Sequence, residues 1–418
     1  MILPAREIVV LSALAMAVAS ALTPLTAILA RALGAIDEPD ARRVNLAPVP
    51  RIGGLAILVA LLCVVALSPW ISAKLWATWR QRDWQVLAVA AGSIFALGFV
   101  DDLRELSVGS RLACQLFASI AVSLGFARGG IVGFDTTFSS RMIELALATL
   151  WLATITNGSN LIDGLDGLSA GVAIIESAGL AVLAALRHQR PELMALCVLG
   201  AALGGFWIYN RHPARVFLGD GGALLSGFVL AALALRVNSV GGVATRIAIP
   251  LLMLGYPGFE VGLTVARRLL GAVELVSAAG RRPTLAVRRP HLFRPDRDHI
   301  HHRLVALGMS HRRAVQTCYL LSCGFVALGM LAALKPGALG LALGLAMASA
   351  AIASRALGYR ELRIFARGLL IPLAASLTLR VRHAVDFLTI LADGFSSRRR
   401  KSISGGEKNL RKPATDVE

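Results

Sequence analysis

Two amides and two carboxylates lie within one short stretch, NGSNLIDGLDGL, which joins two apolar segments. Asn157 and Asn160 are three residues apart, and so are Asp163 and Asp166. This spacing places each pair on one side of a helical turn, although the glycines of the stretch favour a tight loop equally well. Carboxylate and amide oxygens suit Mg²⁺ that is shared with phosphate groups. A polar turn between two membrane helices is the alternative interpretation.

Further acids stand where other apolar segments begin or end. Asp101 and Asp102 directly follow the apolar run SIFALGFV. Adjacent acids at a membrane boundary are costly to desolvate unless they pair or meet a cation. The alternative is a helix end in headgroup water, with Arg104 or Arg111 as partner.

The segment NRHPARVFLGDGG places Asp220 among glycines just before an apolar run. Backbone N–H groups at the start of the following helix would favour a phosphate group. Phe217 precedes the acid by three residues and is available to stack on a flat base. The alternative for Phe217 is an aromatic at the lipid interface.

The segment HLFRPDRDHIHHRL combines histidines with arginines. A zinc site is the obvious alternative, because histidines are common zinc ligands. However, no cysteine accompanies the histidines, and the positive charge of the arginines opposes binding of a cation. A basic cluster that binds a diphosphate fits these residue types better. Its members are Arg297, His299, His301 and His302.

Composition indicates an all-α polytopic membrane protein. Of the 418 residues, 56% are hydrophobic and 16% charged, and the mean hydropathy is +0.68. Apolar runs of about 17–25 residues recur and predict about eleven transmembrane helices. The predicted spans are 8–30, 53–71, 84–100, 111–127, 142–156, 169–187, 192–209, 222–236, 245–268, 314–333 and 337–354. The net charge of +18 favours basic loops facing anionic lipid over nucleic-acid binding.

Alternation of these spans places every motif on one membrane face. With the N-terminus outside, roughly 32 of the 43 Lys and Arg residues fall on the motif face, which predicts that this face is cytoplasmic. We assign 1–354 to the transmembrane domain and 355–395 to a basic amphipathic segment on the membrane surface. Residues 396–418 are polar and charged, typical of a disordered cytoplasmic tail.

The chain resembles the polyprenyl-phosphate N-acetylhexosamine-1-phosphate transferases of glycosyltransferase family 4. The resemblance covers about residues 5–355. It is carried by PDARRVNLAPVPRIGG, Asp101-Asp102, NGSNLIDGLDGL, FLGDGG and RPDRDHIHHRL, in that order. The HIHH form at 299–302 resembles the branch that transfers GlcNAc-1-phosphate or related hexosamine phosphates. Asn45 departs from the histidine that many members carry in the first motif, which leaves the donor sugar less defined than the reaction.

The resemblance implies a reaction and a set of roles. UDP-N-acetylhexosamine and undecaprenyl phosphate would give undecaprenyl-diphosphate-N-acetylhexosamine and UMP, with Mg²⁺ or Mn²⁺. Asp220, with Asn157, would bind the metal. Asp101, Asp102, Asp163 and His299 would be catalytic, with either Asp101 or Asp102 acting on the lipid phosphate. The substrate-binding set would be Asn160, Asp166, Phe217, Arg297, His301 and His302, of which Asp166 and Phe217 would lie near the uracil.

Several alternatives stay open from the sequence. The lipid phosphate attacks the β-phosphorus either directly or after a covalent aspartyl intermediate, and we favour direct displacement. Within the family, the phospho-N-acetylmuramoyl-pentapeptide transferase is the second candidate, disfavoured by HIHH. An ion-coupled transporter would carry its acids at mid-span, and a membrane scaffold would not need them. We expect a bacterial inner-membrane enzyme that starts a cell-envelope polysaccharide, and a homodimer stays open.

Overall fold

The computed structural model describes residues 5–38, 48–126, 137–238, 242–277 and 299–358. The chain divides into two compact units, Met1–Leu357 and Gly358–Glu418. The predicted surface segment and tail therefore lie almost entirely outside the described residues. So do Arg297 and Asn45.

The first unit is a bundle of helices. The first seven are α1 (Ala5–Leu33), α2 (Gly54–Ile71), α3 (Ala73–Trp79), α4 (Arg82–Leu103), α5 (Val108–Phe126), α6 (Phe138–Leu161) and α7 (Leu168–Leu186). The others are α8 (Arg190–Asn210), α9 (Gly219–Val237), α10 (Val243–Met253), α11 (Gly255–Ser277), α12 (Ile300–Ala306), α13 (His311–Leu334) and α14 (Leu339–Ala356). A 3₁₀ turn, Pro336–Ala338, precedes α14, and β1 (Ile36–Asp37) pairs antiparallel with β2 (Val49–Pro50).

The predicted class of polytopic all-α membrane protein is confirmed, but the count of eleven spans is not. Within the described ranges, nine helices are long and apolar enough to cross a membrane, or ten with one bent pair. The predicted span 245–268 is that pair, because α10 and α11 meet at 90°. Pro257 lacks the N–H that would continue the helix through the bend. The predicted span 337–354 corresponds to α14, which is not among these candidates because its apolar part, Pro336–Ala350, is shorter than a span.

Helix α9 lies at the centre of the bundle, and nearly all of its residues are buried. It packs against α4, α6 and α2. Small residues allow the backbones to approach closely, as is common between membrane helices. Gly54 of α2 lies directly against Gly222, and Gly98 of α4 lies against the backbone of Gly221. These contacts bring the end of α4 and the start of α9 together.

A partly buried charge cluster links helices at the opposite end of the bundle. Arg236, near the end of α9, pairs with Asp83 of α4 and, at 2.9 Å, with Glu192 of α8. Its guanidinium also lies 4.5 Å from the ring centre of Trp84. Because these partners belong to different helices, the cluster fixes α4, α8 and α9 at the end remote from the motifs.

Candidate active site

The pair Asp101-Asp102 is buried where α4 meets the start of α9, not hydrated in the headgroup region. The carboxylate of Asp102 accepts hydrogen bonds from the backbone N–H of Asp220 at 3.0 Å and of Gly221 at 3.1 Å. These N–H groups were expected to bind phosphate, and that expectation is wrong for these two. Gly219 precedes them with φ +74°, and a Cβ there would meet the backbone of Arg51 and the Asp102 carboxylate.

Arg111 of α5 connects the two acidic motifs. Its guanidinium lies 2.5 Å from Asp101 Oδ2 and 3.4 Å from Asp220 Oδ2. The other oxygen of Asp101 accepts the backbone N–H of Leu106 at 2.8 Å. The sequence offered Arg111 as a partner for the acids, and the structure confirms it. Positive charge within the cluster lets three carboxylates lie close together.

The first motif supports the acids from behind. The Arg51 side chain donates to the main-chain oxygen of Asp102 through Nε at 3.0 Å and also through Nη2. Backbone bonds join the same stretch to the third motif: Phe217 N–H donates to Pro50 O at 2.7 Å, and Gly53 N–H to Phe217 O at 2.9 Å. Phe217 is therefore held by its backbone, and the residue is partly exposed.

The stretch NGSNLIDGLDGL is helix and loop in succession. Asn157 and Asn160 occupy the last turn of α6, and the two aspartates lie in the tight loop that follows. Asn157 donates through Nδ2 to Gln115 Oε1 at 2.6 Å and to Ala153 O at 2.8 Å. Both bonds use the donor nitrogen, so Oδ1 is the atom that a metal would take.

Asp163 lies within the field of the other acids. Burial, followed by the negative charges of Asp220 and Asp102, raises the pKa of the Asp163 carboxyl well above its ordinary value. The structure thus brings together Asp101, Asp102, Asp163 and Asp220 at one end of the bundle. Their electrostatic coupling shows a concentration of negative charge that a divalent cation would relieve.

The second aspartate of the stretch belongs to a separate group. Asp166 Oδ2 lies 2.7 Å from His212 Nδ1 and 3.9 Å from His311 Nε2, and it accepts the N–H of Ala214 at 3.1 Å. Ligand atoms of these three side chains lie within 4.8 Å of one another. The two imidazole rings stack, with centres 4.3 Å apart and planes 21° apart. An ion in the plane of one ring would lie off the plane of the other, so the geometry favours a hydrogen-bonded cluster over a metal site.

Residues 299–302, called the histidine segment below, pack against the same loop. His299 and His301 are buried, and a Cβ on Gly164 would meet the His301 ring. Burial, then the neighbouring His302, His299 and His311, lowers the pKa of His301 well below its usual value. His301 is therefore neutral at physiological pH, which modifies the expected basic cluster. Both of its ring nitrogens lack a hydrogen-bond partner within the described ranges.

An apolar cavity of about 850 Å³ lies between α4 and α5. It extends from Arg82 and Gln85 to Val100 and Leu106. Because Leu106 donates its N–H to Asp101, the cavity ends beside the carboxylate cluster.

Tertiary contacts add residues that the sequence analysis passed over: His212, His311, Gln115 and Glu260. Glu260 had a usable signal, because a lone acid within an apolar span is costly and seldom without a purpose. The two histidines had none, since their partner Asp166 is remote in sequence. The roles assigned to individual site residues stay predictions.

Comparison with known proteins agrees with this arrangement. The family model described as Glycosyl transferase family 4 matches residues 84–238. The chain is 34% identical over 311 residues to the Probable undecaprenyl-phosphate N-acetylglucosaminyl 1-phosphate transferase of Bacillus subtilis (strain 168), covering 73% of this chain and 78% of the relative. It is 31% identical over 372 residues to the Decaprenyl-phosphate N-acetylglucosaminephosphotransferase of Mycolicibacterium smegmatis, covering 84% and 88%.

A second group of relatives aligns with less of the chain. The Phospho-N-acetylmuramoyl-pentapeptide-transferase of Geobacillus kaustophilus is 32% identical over 298 residues, which cover 67% of this chain and 82% of that one. The matches span most of both chains, and the motif residues lie at one end of a bundle of apolar helices. The chain therefore belongs to glycosyl transferase family 4, the multi-pass membrane enzymes that transfer a sugar phosphate to a polyprenyl phosphate.

Proposed function

We propose that the protein transfers GlcNAc-1-phosphate from UDP-GlcNAc to undecaprenyl phosphate, releases UMP and requires Mg²⁺. The observation that carries this proposal is the convergence of four aspartates, from the ends of α4 and α6 and the start of α9. Arg111 lies among them, and the loop of Asp163 also contacts His301. Acids with a cation and neutral hydrogen-bonding groups suit phosphoryl transfer between two phosphate-bearing substrates.

The donor set fits a hard divalent cation. Asp220 and the Oδ1 atom of Asn157 are oxygen ligands of the kind that Mg²⁺ prefers. Burial, followed by the negative charges of Asp220 and Asp102, raises the pKa of Asp163, and a cation would offset the contribution of those charges. When bound, Mg²⁺ would neutralise charge on the diphosphate of the donor. Mn²⁺ would serve the same oxygen ligands.

The residues of the chain supply the rest of the chemistry. A lipid-phosphate oxygen attacks the β-phosphorus of the donor, the bond to the α-phosphate breaks, and UMP leaves. Both carboxylate oxygens of Asp102 accept backbone N–H groups at the start of α9, so the role of Asp102 is to fix the position of Asp220. Asp163, with its raised pKa, is suited to accept the proton if the acceptor is a monoanion. Neutral His301 can donate to a phosphate oxygen without requiring a counter-ion.

A lipid acceptor agrees with the cavity between α4 and α5. The cavity places apolar surface next to Asp101, where a phosphate head and its hydrocarbon chain would separate. The excess of basic residues on the motif side supports a cytoplasmic active site in the inner membrane, where UDP-sugars are made. We keep direct in-line displacement as the mechanism, since it needs no phosphorylated aspartate.

The test is UMP release by the full chain in nanodiscs with undecaprenyl phosphate, UDP-GlcNAc and Mg²⁺. Detection of the lipid-diphosphate sugar by mass spectrometry identifies the product. Asp220→Asn should lower the rate by 10³-fold or more, by an order-of-magnitude expectation for a lost metal ligand. Glu105→Gln, an exposed acid at the same end, is the matched control and should keep the wild-type rate.

Two outcomes would change the proposal. Release of UMP with UDP-N-acetylmuramoyl-pentapeptide but not with UDP-GlcNAc would move the protein to the second group of relatives. Release that is unaffected by EDTA, or that survives Asp220→Asn, would remove the metal from the mechanism.

A further inference from the structure

A buried acid without a predicted role lies next to the histidine segment. Glu260, in α11, is fully buried. Its Oε1 atom accepts the backbone N–H of Ile300, the first residue of α12, at 2.8 Å. Its Oε2 atom lies 3.4 Å from Nδ1 of His299, and that imidazole is also buried. A carboxylate removed from water is costly unless it is bonded, so these contacts give Glu260 a defined geometry.

We propose that Glu260 is the positioning residue of the histidine segment. It holds the start of α12 against α11 and fixes the tautomer of His299. The kinetic consequence rests on the proposed phosphotransfer, whereas the structural consequence does not.

The chemistry of the carboxylate determines the tautomer. An ionised carboxylate only accepts hydrogen bonds, so Nδ1 of His299 must carry the proton that faces it. In a neutral imidazole the other nitrogen, Nε2, is then the acceptor. The partner of one ring nitrogen thus determines what the other can offer to a ligand.

The position of His299 affects the rest of the histidine segment. The rings of His299 and His301 are nearly parallel, with centres 5.8 Å apart and planes 6° apart. His301 in turn lies against Gly164, in the loop that carries Asp163. A shift of His299 would therefore move His301 relative to that loop.

Helix α11 is itself fixed to the frame of the site. Gly158 of α6, one residue after Asn157, lies against the backbone of Pro257, and Gly255 lies against the ring of Phe325 in α13. Glu260 follows one turn after these contacts. It therefore connects the histidine segment to the same helix that positions the amides.

Three variants separate charge, hydrogen bonding and size. Glu260→Gln keeps an acceptor for Ile300, because its amide oxygen can replace Oε1. Its NH₂ group then faces His299 Nδ1, which must become an acceptor, so the tautomer should switch to Nε2–H. Glu260→Asp keeps the charge, and Glu260→Ala removes both bonds. Glu176→Gln, at a buried acid of α7, is the matched control.

The tautomer is read by ¹⁵N NMR of histidine-labelled protein in nanodiscs, with His299→Gln used for assignment. We expect Nδ1–H in the wild type and in Glu176→Gln, Nε2–H in Glu260→Gln, and recovery of Nδ1–H in Glu260→Asp. Hydrogen exchange of residues 299–307, followed by mass spectrometry, should be about 10-fold faster or more in Glu260→Ala and near wild type in Glu260→Gln.

UMP release gives the kinetic readout. Glu260→Gln should lower kcat by about 10- to 100-fold while the KM for the UDP-sugar changes little, the usual scale for a residue that orients another. An Nε2–H tautomer in the wild type, or an unchanged tautomer in Glu260→Gln, would overturn the proposal. If the wild type releases no UMP, the proposed function fails, while the tautomer and exchange data still decide the role of Glu260.

Discussion

The contact between Gly164 and His301 gives the sharpest prediction. A Cβ on Gly164 would lie well inside van der Waals distance of His301 Nε2, and 3.1 and 3.2 Å from the Cδ2 and Cε1 atoms. Non-bonded heavy atoms prefer about 3.5–4.0 Å, so Gly164→Ala requires the loop and the ring to separate by about 1 Å. His301 is fully buried and has little room to yield.

The expected effect has two parts. Overpacking of this kind costs about 1–3 kcal/mol in the free energy of unfolding. A misplacement of about 1 Å at a reacting centre costs about 10²-fold in rate. We therefore expect Gly164→Ala to lower kcat for UMP release by about two orders of magnitude at temperatures where the variant stays folded.

The matched control is Gly92→Ala, in α4, where a Cβ would meet nothing within 4 Å. It should keep kcat and gain up to about 1 kcal/mol of stability, because alanine is the better helix former. The double variant Gly164→Ala/His301→Ala removes the clash, so we expect it to recover stability but not activity. A Gly164→Ala enzyme with kcat within twofold of wild type would refute the packing of His301 on this loop during turnover.

Two further predictions concern stability. Arg236→Met should lower the free energy of unfolding by about 2–3 kcal/mol, because Glu192 is left buried without its cation. The KM for substrates should be unchanged. A substantially altered KM would contradict the separation between this end of the bundle and the active site. The raised pKa of Asp163 favours its protonated form in the folded protein, so this stabilisation is present below about pH 4 and is lost as pH rises through the raised pKa. In EDTA, Asp163→Asn should therefore gain stability over wild type as pH increases, and Mg²⁺ should remove the difference; parallel pH profiles of unfolding would contradict this.

Local sequence was enough to identify the membrane class and the ends of most helices. Apolar runs of spanning length must form helices in a bilayer, because no water is present to satisfy the backbone. Alternating the predicted spans between the two membrane faces also placed the motifs on one face. This placement required only that the number of spans before each motif be correct. The composition of NGSNLIDGLDGL left two alternatives open, a helix or a loop. In the structure the stretch begins as a helix and continues as a loop.

The span count failed where tertiary packing overrides hydropathy. Residues 247–259 contain no charged side chain, so hydropathy shows no break there, yet α10 and α11 meet at 90° with Gly255 packed against Phe325.

The sequence by itself determined which residue types the site contains and on which face they lie, because hydropathy and spacing act over a few turns of chain. Only the tertiary structure decided their partners. Arg111 pairs with Asp220, which is 109 positions away in the chain. Asp102 accepts N–H groups of α9 that are more than a hundred positions away. The histidine segment is anchored by Glu260, from a helix 40 positions away in the chain. No local pattern encodes such pairings, because they depend on how the helices pack around α9.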